Sequence, residues 1–233
     1  MDSYSQVSNN IGRDELSRSF KRIPPRLMSR RLYHLTIGGI TAASFAFIAV
    51  VYQYFMATPG ALMGLPGWMI VGSFILPLVG VIVLSLSSNS RNLFGGVVGY
   101  LATVLPLGLL TAYCITIYNI AEITAAIGVT AIIAISFATL GFVKPSFFAR
   151  IMPVCGFCLL IIVIAEFILF LLGIQQTITD YIVVVIFCGI IGYDFYHAAN
   201  DVPTLDNAIW YACEIFLDLL NVFLRVLNIR HRD

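Results

Sequence analysis

The chain has 233 residues, of which 60% are hydrophobic and only 11% are charged, and its formal net charge is +1. A soluble domain carries about 25% charged residues, so this composition excludes an ordinary soluble domain and indicates a polytopic membrane protein. This composition predicts that the chain is embedded in the lipid bilayer. We expect no nucleic-acid partner.

The N-terminal segment, residues 1–31, differs from the rest of the chain. It is polar and then basic, and Pro24-Pro25 interrupts any long helix. Seven of the 13 basic residues precede the first apolar run, which places the N-terminus in the cytoplasm by the positive-inside rule. We predict a largely disordered cytoplasmic tail over residues 1–31.

Seven apolar runs follow, each long enough to cross a hydrocarbon core of about 30 Å. Lipid offers no partners for backbone N–H and C=O groups, and the runs lack the alternation of barrel strands, so we expect α-helices. The sequence therefore predicts an all-α, seven-helix transmembrane domain over residues 32–228, with a short C-terminal tail over 229–233. The runs are Leu32–Met56, Trp68–Ser87, Leu93–Tyr118, Ile123–Val143, Phe147–Leu172, Ile178–Ala199 and Ala208–Leu227.

The connections are short, and only the stretch from Ala57 to Pro66 is typical of a real loop. Seven crossings would put the basic residues of the C-terminal end outside, against the positive-inside rule. An alternative is that the last segment re-enters and returns to the cytoplasm. Because the last run is long enough to span the hydrocarbon core, seven crossings are favoured. The basic positions at issue are Arg225, Arg230, His231 and Arg232.

Polar residues recur on one face of each of the last two helices. The last helix carries Glu214, Asp218, Asn221 and Arg225, spaced i, i+4, i+7 and i+11. The sixth carries Asp194, His197 and Asp201, spaced i, i+3 and i+7. A tight turn joins these helices, so we expect antiparallel neighbours whose polar stripes face each other.

The two intramembrane aspartates point to function. A carboxylate near the bilayer centre costs about 2.5 to 3.5 kcal/mol on insertion scales, a cost that Asn or Ser would avoid in a purely structural role. If Asp194 and Asp218 meet, like charge prevents both from ionising and the pair shares a proton, which predicts a pH-sensitive latch. For Asn221 and His197, helix-to-helix hydrogen bonding is the favoured interpretation.

Depth sets a condition on this pairing. Asp194 lies about 6 residues from the cytoplasmic turn and Asp218 about 12, which gives roughly 9 Å of offset in straight, level helices. The pairing therefore requires staggered or bent helix ends.

The segment Gly192 to Leu227 resembles the C-terminal signature of the Bax inhibitor-1, or transmembrane Bax inhibitor motif, family. The matching residues are Tyr193-Asp194 on the sixth helix and Leu217-Asp218-Leu219-Leu220-Asn221-Val222-Phe223 on the seventh. The resemblance implies a bacterial-type member with a seven-helix bundle, a central last helix, and a calcium-permeable leak gated by the paired aspartates. It also implies that Arg91 takes the place of a second-helix arginine that can pair with them.

The expected ligand chemistry is that of a hard cation. Calcium prefers carboxylate oxygen, but two aspartates fall short of its usual six to eight ligands, so water, Asn221 and backbone carbonyls would supply the rest. Glu166, alone in the fifth run, must be protonated, paired with a cation such as Arg91, or placed on a water path as a pore acid. Glu214 is a further possible partner of the pair. We expect no cofactor and no enzymatic activity.

Two other functional classes remain open. Intramembrane aspartyl proteases also pair two aspartates, but they carry Gly-x-Gly-Asp where this chain has Ile215-Phe216-Leu217-Asp218. A non-conducting membrane scaffold is the stronger alternative. The short tail and the absence of an evident retention signal favour a bacterial inner membrane over the endoplasmic reticulum or Golgi.

Overall fold

The structure is a computed structural model that describes residues 27–58, 60, 67–90, 92–173 and 177–232. Most of the predicted tail, most of the predicted loop from Ala57 to Pro66, and Arg91 lie outside these residues. The expectations for them stay predictions.

The described residues form seven α-helices, so the predicted all-helical fold is confirmed. The described residues also include one 3₁₀ turn, Ile115–Ile117, and an isolated bridge between Leu27 and Thr204. The helices are α1 (Arg30–Ala57), α2 (Gly67–Ser90), α3 (Leu93–Cys114), α4 (Ile120–Val143), α5 (Pro145–Leu171), α6 (Thr177–Asn200) and α7 (Leu205–Arg232).

Local sequence signals set several of the helix starts. The side chain of Ser29 accepts a hydrogen bond from Leu32 N at the start of α1. At the start of α4, Asn119 and Glu122 form a capping box in which each side chain accepts from the other residue's backbone N–H. These bonds satisfy N–H groups that the helix itself leaves free.

Among the described residues, α1 to α6 each contain a segment long and apolar enough to cross a membrane. The last helix, α7, is not among these candidate spans because its polar stripe makes it less apolar. It is also the helix around which the others pack. Helix α7 contacts α1, α2, α3, α4 and α6, and the side chain of Arg225 binds Glu166 on α5. Its small and apolar residues contribute to all three clusters of buried side chains. The expected central position of the last helix is therefore observed.

Glycines allow the closest helix approaches. A Cβ at Gly99 on α3 would come within 2.6 Å of the backbone nitrogen of Leu84 on α2. On α4, a Cβ at Gly141 would collide with the carbonyl of Gly192 on α6. Small residues at crossings are the usual means of close packing between membrane helices.

The last helix is continuous, and its two ends lie at opposite ends of α6. Its first residues follow the turn that ends α6, and Arg232 donates a hydrogen bond to Asp180 in the first turn of α6. Residues 229–232 continue this helix, over the stretch where the sequence predicted a short C-terminal tail. They stay helical because their side chains bind the start of α6 and the start of α4.

Candidate functional site

The structure brings the two predicted aspartates together. Asp194 on α6 and Asp218 on α7 are each only 7% exposed, and their carboxyl groups lie within hydrogen-bonding reach of each other. In the described part of the chain, Oδ2 of Asp218 is buried without a hydrogen-bond partner. Two acids in this arrangement share a proton more readily than they ionise together.

The two aspartates meet despite the difference in depth that residue counting predicted. Asp194 lies close to the end of α6 at Asn200, whereas Asp218 lies near the middle of α7, which starts at Leu205. The carboxyl groups nevertheless meet, so the helix ends are staggered or bent, as the residue count required.

Two of the predicted partners surround the aspartate pair. Glu214, one turn before Asp218, lies close enough to both aspartates for electrostatic interaction and hydrogen-bonds to Trp210. His197 interacts with Asp194, and its ring lies 4.2 Å from that of Tyr193. The pair therefore sits in an acidic neighbourhood with a single nearby imidazole.

Among the described residues, the remaining predicted partner, Asn221, makes a hydrogen bond within its own helix. The side-chain amide of Asn221 donates to the carbonyl of Leu217 in its own helix at 2.8 Å. Arg225 shares the face of Asp218 but lies two helical turns further along α7, where it binds other acids. Arg91 is outside the described residues.

Asp201 leaves the predicted stripe and organises the turn between α6 and α7. Its Oδ1 accepts from Val202 N at 2.6 Å, and its Oδ2 accepts from the hydroxyl of Tyr211 at 2.8 Å and the amide of Asn207 at 3.3 Å. The backbone of Met28, just before α1, donates to the carbonyl of Pro203. The carboxylate thus ties the turn to α7, and the chain before α1 closes over the same turn.

A second polar site surrounds Arg225, and we call it the outer ionic cluster because the topology predicted from the sequence places it toward the outer side of the membrane. Its guanidinium donates two bonds to the carboxylate of Glu166 on α5, at 2.5 and 2.7 Å, and one bond to Asp180 on α6 at 2.7 Å. The side chains of Arg225, Glu166 and Asp180 are 22%, 12% and 0% exposed. A forked pair of this kind is strong and fixes the orientation of both partners.

The cluster continues toward the end of α7. Asp180 also accepts from Asn228 and Arg232, both at 3.1 Å, and Asn228 accepts from the hydroxyl of Tyr118. Burial raises the pKa of Tyr118, so this phenol remains a donor. His231 Nδ1 lies 3.4 Å from Glu122. The cluster therefore links α7 to α4, α5 and α6.

Sequence reasoning missed this cluster as a unit. It considered Glu166 a possible pore acid in need of a cation, and it placed Arg225 on the stripe of α7. The signal that could have joined them is charge matching, since a buried arginine needs buried carboxylates. Residue spacing within one helix does not show which residues of α5, α6 and α7 lie at the same depth.

The predicted calcium ligands form a sparse set. Within the described residues, no group of three or more His, Cys, Asp or Glu side chains is arranged to hold a metal ion. Asp194 and Asp218 offer carboxylate oxygens of the right chemistry, but far fewer than a closed calcium site needs.

Comparison with known proteins supports the resemblance. The family model described as inhibitor of apoptosis-promoting Bax1 matches residues 26–232, which covers all seven helices and both polar sites. The search of curated proteins returned no match. The chain is therefore a membrane protein that belongs to the Bax inhibitor-1 family.

Proposed function

We propose that this protein is a cation leak channel, with Ca²⁺ as the favoured ion, and that the Asp194/Asp218 pair gates it. The observation that carries the proposal is the contact of two buried carboxyl groups at the interface of α6 with the central helix. A titratable pair in the membrane is costly to place and is the usual mark of an ion or proton path.

The proposed gate follows from the charge of the pair. While the two carboxyl groups share a proton, a hydrogen bond ties α6 to α7 and the path beside α7 stays shut. Loss of that proton leaves two adjacent negative charges, which separate or recruit a cation. Acidification should therefore reduce the leak, and alkalinisation should increase it.

Movement of α7 is supported by the space beside it. Two apolar pockets of about 320 Å³ and 400 Å³, both half open at the protein surface, lie beside α7, and Phe45 of α1 and Leu219 of α7 line both. Leu219 directly follows Asp218. A tightly packed interface resists displacement, and these surface pockets leave one side of α7 less tightly packed.

We also propose that α7 crosses the membrane as the seventh span. It is 28 residues long, and its ends lie at opposite ends of α6, which is itself apolar and long enough to cross. Its polar residues are tolerated because the other helices surround them. We retain the bacterial inner membrane as the proposed location, on the sequence argument alone.

The protease alternative is disfavoured by the local structure. The residues before Asp218 are apolar, and Phe216 is fully buried in the core. The helix stays closed through this segment, whereas a protease must open the helix to admit a peptide. A non-conducting scaffold is the alternative that the experiment below separates from the channel.

The test is Ca²⁺ influx into liposomes that contain the purified protein, measured across pH for the wild type, Asp194→Asn and Asp218→Asn. We expect wild-type influx to rise with pH and each variant to lose that dependence, because one neutral amide removes the shared proton. Asp206→Asn, at the start of α7, is the matched control and should keep the wild-type profile. Influx no greater than in empty liposomes at every pH would favour the scaffold.

A further inference from the structure

The outer ionic cluster lies at the opposite end of α7 from the turn that follows α6. Arg225 is two turns beyond Asp218, and the residues that it binds come from the second half of α5 and the first turn of α6. The central helix is thus attached to its neighbours at two levels. One attachment is the aspartate pair, and the other is made of full charges.

The geometry of Arg225 differs from that of an ordinary interfacial arginine. An arginine at a membrane surface extends its head into water, but this guanidinium turns inward and binds two carboxylates from two helices. One of those carboxylates is completely buried. Removing Arg225 would take away the cation that Glu166 and Asp180 share and would leave Asp180 with Arg232 and Asn228, and the loss of one partner from a buried ion pair is unfavourable.

The cluster also connects a helix that otherwise stands apart from α7. Helix α5 packs mainly along α6 and touches α4 more sparsely, so its bond from Glu166 to Arg225 reaches across to the central helix. Any displacement of the far end of α7 must break this bond or carry α5 with it. The cluster is therefore placed to resist the same movement as the aspartate pair.

We propose that Arg225, held by Glu166 and Asp180, is a second lock on α7 that must release before the path beside this helix opens. The inference deepens the channel proposal and rests on it for its effect on flux. It names Arg225 and Glu166 as positioning residues that control the outer half of α7, while the aspartate pair controls the inner half.

The first experiment measures amide hydrogen exchange in lipid nanodiscs, which does not depend on conduction. We expect Arg225→Gln and Glu166→Gln to accelerate exchange over residues 226–232 by on the order of tenfold, since loss of one partner shifts the open and closed populations of this segment. Arg230→Gln is the matched control, because it removes the same charge from an exposed position of the same helix end. Its exchange should match that of the wild type.

Arg225→Lys guards against simple misfolding. It keeps the positive charge and loses the planar fork that binds two oxygens of Glu166, so we expect exchange between that of the wild type and that of Arg225→Gln. Unchanged exchange in both Arg225→Gln and Glu166→Gln would overturn the lock. The same conclusion would follow if Arg230→Gln accelerated exchange as much as they do.

Calcium influx into liposomes then separates the lock from the channel. If the lock gates a channel, Arg225→Gln should raise influx above the wild type and Arg230→Gln should not. Faster exchange with influx at the level of empty liposomes in every variant would keep the lock and reject conduction. Faster exchange in a wild type that conducts, with no rise in influx, would overturn the gating role of Arg225.

Discussion

At the scale of single residues, glycines allow the helix that carries Asp194 to approach its neighbours closely. Gly141 on α4 and Gly192 on α6 bring two backbones together, and Gly192 lies two residues before Asp194 in the chain. Gly192 in turn lies against the ring of Phe148 on α5. The position of Asp194 therefore depends on a contact between three helices that leaves no space for a methyl group.

We predict that Gly141→Ala destabilises the protein. The added methyl would meet the carbonyl of Gly192, and overpacking of this kind costs about 1 to 3 kcal/mol of unfolding free energy. Thermal unfolding in detergent would report it as a lower Tm. Gly128→Ala on the same helix is the control, because nothing lies within 4 Å of its Cβ position, and Ala is the better helix former. Equal Tm values for the two variants would contradict the packing argument.

Residue spacing predicted part of the site and could not predict the rest. Asp194 and Asp218 could be paired because they lie on adjacent antiparallel helices joined by a short turn. Counting residues from that turn gives the approximate depth of each side chain. The contact of Arg225 with Glu166 could not be counted in this way, because 59 residues and two helix reversals separate the partners. Spacing also could not show that the amide of Asn221 donates to a carbonyl of its own helix.

At the scale of the elements, the turn between α6 and α7 fixes the stagger on which the aspartate pair depends. Asp201 accepts three hydrogen bonds there, one of them from Tyr211 on α7. Thr204 adds a side-chain bond to the backbone of Asn207. A turn with this many partners sets how far α7 slides relative to α6.

We predict a measurable interaction between Asp201 and Tyr211. Asp201→Ala, Tyr211→Phe and the double variant form a cycle, and the single variants should each lose about 1 to 3 kcal/mol of stability because a partly buried polar partner is removed. The double variant should lose less than their sum by about 1 kcal/mol. Denaturant unfolding in mixed micelles measures these differences. Strict additivity would mean that the 2.8 Å contact contributes nothing to the turn.

Most helix boundaries were predictable for a simple physical reason. Lipid demands long uninterrupted apolar runs, so α2 to α6 begin and end within a few residues of the predicted limits. The last helix shows the largest difference, because it continues five residues beyond the predicted run, from Leu227 to Arg232. Its flanking residues are polar, and they remain helical because they bind other helices rather than water alone.

At the scale of the whole molecule, the charges at the end of α7 pose a problem of orientation. A seventh crossing places them on the side of the membrane opposite the basic N-terminal segment, where arginine is disfavoured. If α7 crosses, the outer ionic cluster lessens this conflict for two of the arginines. Arg225 and Arg232 are paired with Glu166 and Asp180, whereas Arg230 is exposed.

We therefore predict that the two termini lie on opposite sides of the membrane. In bacterial cells, green fluorescent protein should fluoresce when fused to the N-terminus and stay dark when exported on the C-terminus, where alkaline phosphatase should instead be active. Arg225→Gln combined with Arg232→Gln should leave this orientation unchanged, because paired charges do not set it. Fluorescence from the C-terminal fusion would show that the chain ends in the cytoplasm, and α7 would then have to re-enter rather than cross.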